Sequence, residues 1–337
     1  MRVGGSPRAL LAVDSVRQAE QTLHDLDEAG ISYWPLGGGS NTIVADDGID
    51  ATIVWLRHRA HHIIEETEES ITVRFDAGWP WDECVEFAVS KGWSGLECLS
   101  GIPGSVGGTP IQNVGAYGHD VSEFISQVTV WNRDVRTLQM LTAAQCHFGY
   151  RDSIFKHQRK TDASPTMIVL QVDFTFTKSD ASAPITYPEL ATRLGLQVGE
   201  SAPIQEVRAA VLALRTAKGM VLNDDDHDTW SVGSFFVNPV VDAEIATALP
   251  ADAPRWPVGD GMKLSAAWLM EHSGFVKGTA LPDSRASLSS KHALAITNRG
   301  GATAAEVVEL ARAVRTAVHI KFGVLLHAEP VLLGIEL

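Results

Sequence analysis

Between Gly101 and Gly118 the chain reads Gly-Ile-Pro-Gly-Ser-Val-Gly-Gly-Thr-Pro-Ile-Gln-Asn-Val-Gly-Ala-Tyr-Gly, with six glycines and two prolines in eighteen positions. Neither a helix nor a regular strand accepts that composition, because glycine loses the most entropy on ordering and proline has no N–H to donate. A backbone so short of side chains is suited to bringing its N–H groups close to a large anionic ligand, a diphosphate first among them. A mobile linker is the plain alternative. Linkers are rich in serine and charge, however, and this segment carries Ile102, Val106, Ile111, Val114 and Tyr117.

A second glycine cluster, Pro35-Leu36-Gly37-Gly38-Gly39-Ser40-Asn41, stands between two strand-like runs, Ile31 to Trp34 and Thr42 to Ala45. A dinucleotide fingerprint of the Gly-x-Gly-x-x-Gly type opens a helix, and here a strand follows. A Walker A loop needs Lys-Ser/Thr after its last glycine, which is missing. The cluster reads either as a phosphate nest of another kind or as a glycine-rich hairpin loop.

Composition narrows the classes. A chain of 337 residues suggests two or three domains, and 45% hydrophobic with 20% charged residues is the profile of a globular protein. No apolar run approaches the ~18 residues of a membrane span and the N-terminus lacks a signal peptide's charged and apolar regions, so the cytoplasm is the expected location. Cys84, Cys98 and Cys146 form no Cys-x-x-Cys pair, and the twelve histidines show no His-Glu-x-x-His, so neither disulfides nor a metal are expected. Forty-one acidic against twenty-seven basic residues leave a net charge of −14, a field that repels nucleic acid and anionic membranes. Any anionic ligand then needs a locally basic site. The acidic run Asp224 to Asp228 reads as a solvated loop.

Periodicity predicts an α+β chain. Asp14 is placed to cap a helix running to about Ala29, with Val16, Ala19, Leu23 and Leu26 on one face. Strands are expected at Ala51–Leu56, Ile71–Phe75, Gln127–Trp131, Thr137–Leu141 and Met167–Phe176. Helices are expected at about Asp82–Ser90, Pro203–Lys218 and Leu264–His272. Thr303-x-x-Glu306 forms a capping box for a helix to about Lys321, closed by Gly323. The stretch Ser179 to Pro188 marks a boundary or an inserted loop.

Three further segments carry the chemistry: Phe148-Gly149-Tyr150-Arg151-Asp152-Ser153-Ile154-Phe155-Lys156, Val232-Gly233-Ser234-Phe235-Phe236-Val237-Asn238-Pro239 and Leu326-His327-Ala328-Glu329-Pro330-Val331. In this order and spacing, together with the two glycine clusters, the chain resembles the UDP-N-acetylenolpyruvoylglucosamine reductase family from about Val3 onward. Those flavoenzymes complete UDP-N-acetylmuramic acid in bacterial wall synthesis. The resemblance implies a two-lobed FAD-binding domain of the vanillyl-alcohol-oxidase (PCMH) type followed by a smaller α+β substrate-binding domain. The first lobe would span 1–60 and take back the strand in 325–337. The second lobe would span 61–202 and the substrate domain 203–324.

The resemblance also implies site residues. FAD, held without a covalent bond, would lie on Gly37, Gly38, Gly39, Ser40 and Asn41 at its diphosphate, and on Ile102, Pro103, Gly104, Ser105, Asn113, Gly115, Ala116 and Tyr117 at its ribityl and ring regions. Arg151 would grip the substrate carboxylate, since a guanidinium is always ionised and binds carboxylate through two parallel N–H bonds. Ser234 would supply the proton and Glu329 would help Arg151 polarise the substrate. Tyr150, Tyr187, Lys218, Asn238 and Lys277 would contact the nucleotide sugar, UDP-N-acetylglucosamine enolpyruvate, with His292 nearby. NADPH would be the co-substrate, admitted to the flavin in turn with the enolpyruvyl substrate, and the protein would be a monomer. In the family a short segment, usually with a threonine, precedes the element that here reads Met1 to Gly5; either the chain's start is assigned too late or the N-terminal edge of the FAD lobe is missing, and the latter would bear on cofactor affinity more than on chemistry.

Two other classes stay open on the residues alone. An oxidase of the same fold using oxygen would often tether its flavin through His or Cys, and the loop offers none between Cys98 and His119. A nucleotide-sugar-binding protein without catalysis would have no need of Arg151, Ser234 and Glu329 together.

Overall fold

The computed structural model describes residues 1–337, which divide into two compact units. One comprises 7–39 and 50–216, the other 1–6, 40–49 and 217–337. The third segment expected from the sequence begins at 203, yet the helix Ile204–Ala217 buries Val207, Ala210 and Val211 against Ile185, Leu190 and Tyr117 of the first unit. Packing of its apolar stripe, set by a 3.6-residue period, decides which unit it joins.

The first unit holds two larger sheets and a short two-stranded pair, Gly115–Ala116 with His119–Asp120. The smaller of the two sheets has the order Pro7–Val13, Ile49–Leu56, Tyr33–Leu36, with Tyr33 to Leu36 parallel to Thr52 to Trp55. The helix Val16–Glu28 buries Ala19, Leu23 and Leu26 in the same cluster as Tyr33 and Val54. Its N-cap is Ser15, whose hydroxyl accepts the Gln18 N–H at 3.1 Å, and not Asp14. Ser15 has the extended backbone that a cap needs, while the Asp14 carboxylate turns to Arg57 at 3.2 Å.

The larger sheet is antiparallel and runs Thr137–Thr142, Ile125–Asn132, Met167–Lys178, Ser70–Asp76, His61–Glu66, with Trp93–Ser94 also paired to Met167–Lys178. Ser70–Asp76 is apolar on alternate residues, whereas Met167–Lys178 buries both faces at its start, and the helix Trp81–Ser90 joins them in a cluster containing Phe75, Trp81, Phe174 and Phe176. The long glycine segment is tied to this layer by its backbone: Val106 donates to Trp79 O at 2.9 Å, Gly107 to Ala77 O at 2.9 Å, and Gly104 O accepts from Trp81 at 3.0 Å.

The second unit is built on the helix Ala304–Phe322. Its Thr303–Glu306 capping box forms as expected, and Gly323 ends it with φ +68°. Val307, Leu310, Val314 and Val318 pack in one cluster with Phe235, Phe236 and Leu269. The strand Val331–Leu333 pairs in parallel with Thr42–Val44. The hairpin alternative for Gly37 to Gly39 therefore does not hold: the strand before it pairs with Ile49–Leu56, and the strand after it pairs with the C-terminal strand.

The acidic run is not a simply solvated loop. Asp224 pairs with Arg2 and Asp226 with Lys291. Asp228 is buried, accepting the Ser290 N–H at 2.8 Å and the Arg299 guanidinium at 3.0 Å. Burial works against its charge, but the hydrogen bonds from Ser290 hold its carboxyl below the usual carboxylate range.

Candidate active site

The two glycine clusters, far apart in sequence, meet in the first unit. A Cβ at Gly37 would overlap the Ser105 hydroxyl, and one at Gly38 would stand 3.0 Å from Gly104 Cα. Glycine at these positions is what lets the two loops close to backbone contact. Together Gly37, Gly38, Gly104 and Ser105 line a cavity of about 720 Å³ with Leu36, Trp55, Leu56, Arg57, Arg59, Gly78 and Pro80. A cavity of this size with backbone walls, one indole and two guanidiniums fits part of a dinucleotide such as FAD. Ser40 and Asn41, expected on the same cofactor, belong to the second unit. There the Asn41 amide donates to Glu329 O at 3.2 Å, and Asn41 O accepts the Val331 N–H at 2.9 Å.

The far end of the long glycine segment holds Arg151. Its Nη1 donates to Asn113 O at 3.1 Å and to Asp120 Oδ1 at 3.0 Å, and its Nη2 donates to Gly115 O at 2.5 Å. Arg151 itself has φ +52°, a left-handed conformation that a residue with a side chain adopts at a cost. The tight turn Gly149 to Asp152, closed by Gly149 N–H to Asp152 O at 3.0 Å, holds it there. The guanidinium stands 5.4 Å from the centroid of the Tyr150 ring. Gly115 is glycine for a reason: a Cβ would overlap Asp120 Oδ1 and lie 2.8 Å from Arg151 Nη1.

Asn113, at φ +46°, spends its side chain on the loop, donating to Gly149 O at 3.0 Å and accepting the Ser122 N–H at 3.1 Å. Tyr117, at φ +51°, packs edge-on to Tyr187 with ring centroids 5.5 Å apart. Burial pushes the Tyr117 hydroxyl up to about 12, with Arg215 pulling the other way. It is therefore a protonated donor at neutral pH. Ile102 and Ala116 pack partly against the core below, and Pro103 is exposed.

In the second unit Ser234 and Glu329, distant in sequence, become neighbours. Ser234 bridges to Ala295, Phe235 donates its N–H to Leu294 O at 2.7 Å, and Glu329 donates its N–H to Phe235 O at 2.9 Å. The segment 234–238 is thus clamped between two others, with Phe235 and Phe236 fully buried beneath. Asn238 Oδ1 accepts the Ala266 N–H at 2.9 Å, which commits that oxygen to the start of the helix Ala266–His272. Lys218 follows the helix Ile204–Ala217, and Lys277 sits on an exposed turn. Arg151 and Tyr187 fall in the first unit, and Ser234, Glu329, Lys218, Asn238 and Lys277 in the second.

Sequence reasoning missed several residues here. Asp120, which orients Arg151, carries no signal beyond its capping box with Glu123. Arg215 interrupts the apolar stripe of its helix and is buried, its charge disfavoured by desolvation. That interruption was legible in the sequence. Trp55, Arg57 and Arg59 lie in a stretch whose strand pattern drew attention to its apolar residues instead.

Comparison with known proteins agrees with this geometry. Residues 7–140 match the FAD binding domain family, which with the glycine cradle defines a flavoprotein of the PCMH-type fold. Residues 225–333 match the C-terminal domain of UDP-N-acetylenolpyruvoylglucosamine reductase. Proteins of that name from Salinispora arenicola and Mycobacterium tuberculosis H37Rv are 46% and 47% identical, over 100% and 99% of this chain and 93% and 92% of theirs. The chain belongs to the UDP-N-acetylenolpyruvoylglucosamine reductase family, and is an FAD-containing oxidoreductase of peptidoglycan synthesis. The crystal structure of the Thermus caldophilus reductase shares the fold, with a TM-score of 0.61 over 96% of this chain and 91% of that one at 22% identity. No helix is long and apolar enough to cross a membrane.

Proposed function

We propose that this chain reduces the enolpyruvyl double bond of UDP-N-acetylglucosamine enolpyruvate, with NADPH as electron source, through the roles expected of Arg151, Ser234 and Glu329. FAD, when bound, supplies hydride to one carbon of the double bond. Negative charge then builds on the carboxylate side of the substrate, and Arg151 is the group placed to meet it. The observation that carries this reading is the Arg151 guanidinium, fixed by Asn113 O, Gly115 O and Asp120 with its fork already oriented. A preorganised donor spends no reorganisation energy as charge develops.

Ser234 Oγ–H gives its proton to the neighbouring carbon. A hydroxyl is a weak acid, so it serves only where the accepting carbon is strongly basic. The buried Phe235 and Phe236 rings beside it keep water away. Glu329, its backbone held to Phe235 O, acts with Arg151 in polarising the substrate. Gly37, Gly38, Gly39, Ser40, Asn41, Ile102, Pro103, Gly104, Ser105, Asn113, Gly115, Ala116 and Tyr117 hold the cofactor. Tyr150, Tyr187, Lys218, Asn238 and Lys277 hold the nucleotide sugar. The protein works as a cytoplasmic monomer, and its net charge of −14 supports the absence of nucleic-acid and membrane partners.

Ser234→Ala tests the reading. NADPH should still reduce the enzyme at close to the normal rate, while oxidation by the enolpyruvyl substrate slows by the ~10²–10⁴-fold typical of losing a positioned acid. Rapid mixing separates the two half-reactions. Equal slowing of both would make Ser234 a support of the pocket and not the proton donor.

A further inference from the structure

Leaving the smaller sheet of the first unit, the chain reads Trp55-Leu56-Arg57-His58-Arg59. Side chains alternate across an extended segment, and the burial follows: Leu56 and His58 are buried, while Trp55, Arg57 and Arg59 are exposed. The row is rigid. Arg57 N–H donates to Val13 O at 2.9 Å, and His58 Nε2 lies 2.9 Å from Leu170 O. Gly78 lets the backbone seat closely, since a Cβ there would stand 2.6 Å from His58 O.

All three exposed residues line the 720 Å³ cavity that Gly37, Gly38, Gly104 and Ser105 also line, and no carboxylate lines it. In a chain of net charge −14, that is a local reversal of sign. Each guanidinium is held from outside the cavity by a single exposed carboxylate: Arg57 Nε by Asp14 at 3.2 Å, and Arg59 Nη1 by Glu83 at 3.5 Å. A guanidinium has five N–H donors, so these contacts leave most of its capacity unused. The Arg57 guanidinium carbon stands 5.0 Å from the centroid of the Trp55 ring, within cation–π range, so an indole face and a guanidinium lie side by side on one wall of the cavity.

We propose that Trp55, Arg57 and Arg59 hold the adenosine and phosphate half of FAD, and that Asp14 and Glu83 compete with FAD for the two guanidiniums and so set its affinity. The proposal rests on the flavoprotein reading above. A flat base stacks on the indole and the Arg57 plane, while phosphate oxygens take the charge-assisted N–H bonds that a guanidinium fork offers. The two carboxylates, partly exposed and singly bonded, are ligands the cofactor has to displace.

The test is the FAD dissociation constant of the purified holoprotein, from flavin fluorescence released on dilution, with FMN measured in competition. Trp55→Ala and Arg57→Gln should each weaken FAD about 10–100-fold, as expected for losing a charge-assisted or stacking partner, and weaken FMN much less. Asp14→Asn and Glu83→Gln should move the opposite way, tightening FAD by up to about 5-fold, the most an exposed ion pair is worth. A purely structural role for the row predicts no tightening. Retained FAD whose affinity moves less than twofold in all four variants overturns the proposal alone, as does weakening by Asp14→Asn. Wild-type protein that holds no FAD overturns the flavoprotein reading and the proposal with it.

Discussion

Gly115→Ala isolates how much the placement of Arg151 is worth. The new methyl would overlap Asp120 Oδ1 and stand 2.8 Å from Arg151 Nη1, while ordinary contact begins near 3.4 Å. Asp120 must retreat and the guanidinium must shift, because the loop backbone on the other side is hydrogen-bonded in place. The Arg151–Asp120 pair is 20% and 39% exposed, so its loss costs at most about 1 kcal/mol, and overpacking brings the total destabilisation to about 1–3 kcal/mol. Misplacing a catalytic group by about 1 Å costs ~10²-fold in rate. The variant should therefore fold, melt a few degrees lower, bind FAD, and lose about 10²-fold in turnover. Steady-state kinetics on protein of measured flavin content and melting temperature give the values. Combining it with Arg151→Lys sharpens the test: if the methyl acts through the guanidinium, it should add less than about threefold to the loss from Arg151→Lys. Turnover within about threefold of wild type in folded, FAD-loaded Gly115→Ala protein would refute the argument.

Arg151→Lys alone should keep fold and flavin, lose about 10²–10³-fold in oxidation by the enolpyruvyl substrate, and leave reduction by NADPH nearly unchanged, because lysine retains charge without the two-point grip. Acid precipitation should release all flavin to the supernatant. Burial, reinforced by the charges of Glu97 and Glu123, pushes the Cys98 thiol up to about 12, and His119 is engaged with Glu123 at 2.8 Å, so neither is poised to form a tether. Asp82 links the start of the glycine segment to the helix Ile204–Ala217, accepting Gly101 N–H at 2.6 Å and Arg208 at 2.6 and 2.9 Å. Burial opposes its charge, yet these bonds hold its carboxyl below the usual range. Its stabilisation is present above the unfolded value of about 3.9 and is lost as pH falls through the lower folded value. Urea melts should show Asp82→Asn less stable than wild type at neutral pH, with the gap closing as pH falls below about 3.9; a constant gap would refute it.

The features that the sequence alone determined are those set by a few neighbouring residues. Glycine's freedom at positive φ and proline's missing N–H marked 101–118 as an irregular loop and not a helix or a long strand, and the Thr303–Glu306 box and Gly323 marked both ends of one helix. Motif order was enough for the family, because five segments in sequence are a pattern along the chain. Tertiary structure decided what depends on which distant segments touch. Ser15 and not Asp14 caps the first helix because Ser15 takes the extended backbone next to the first turn, while Asp14 pairs with the distant Arg57. The loop after Leu36 ceased to be a hairpin because the chain's last strand took the place beside Thr42–Val44. Asp120 gained its hold on Arg151, and Gly115 its need to be glycine, only when the 113–120 loop folded under the turn at 149–152. Local rules act through backbone geometry over one turn or one strand. The choice of partner across a sheet or a cavity is made by the whole chain at once, where burial and hydrogen bonding are shared among all its segments.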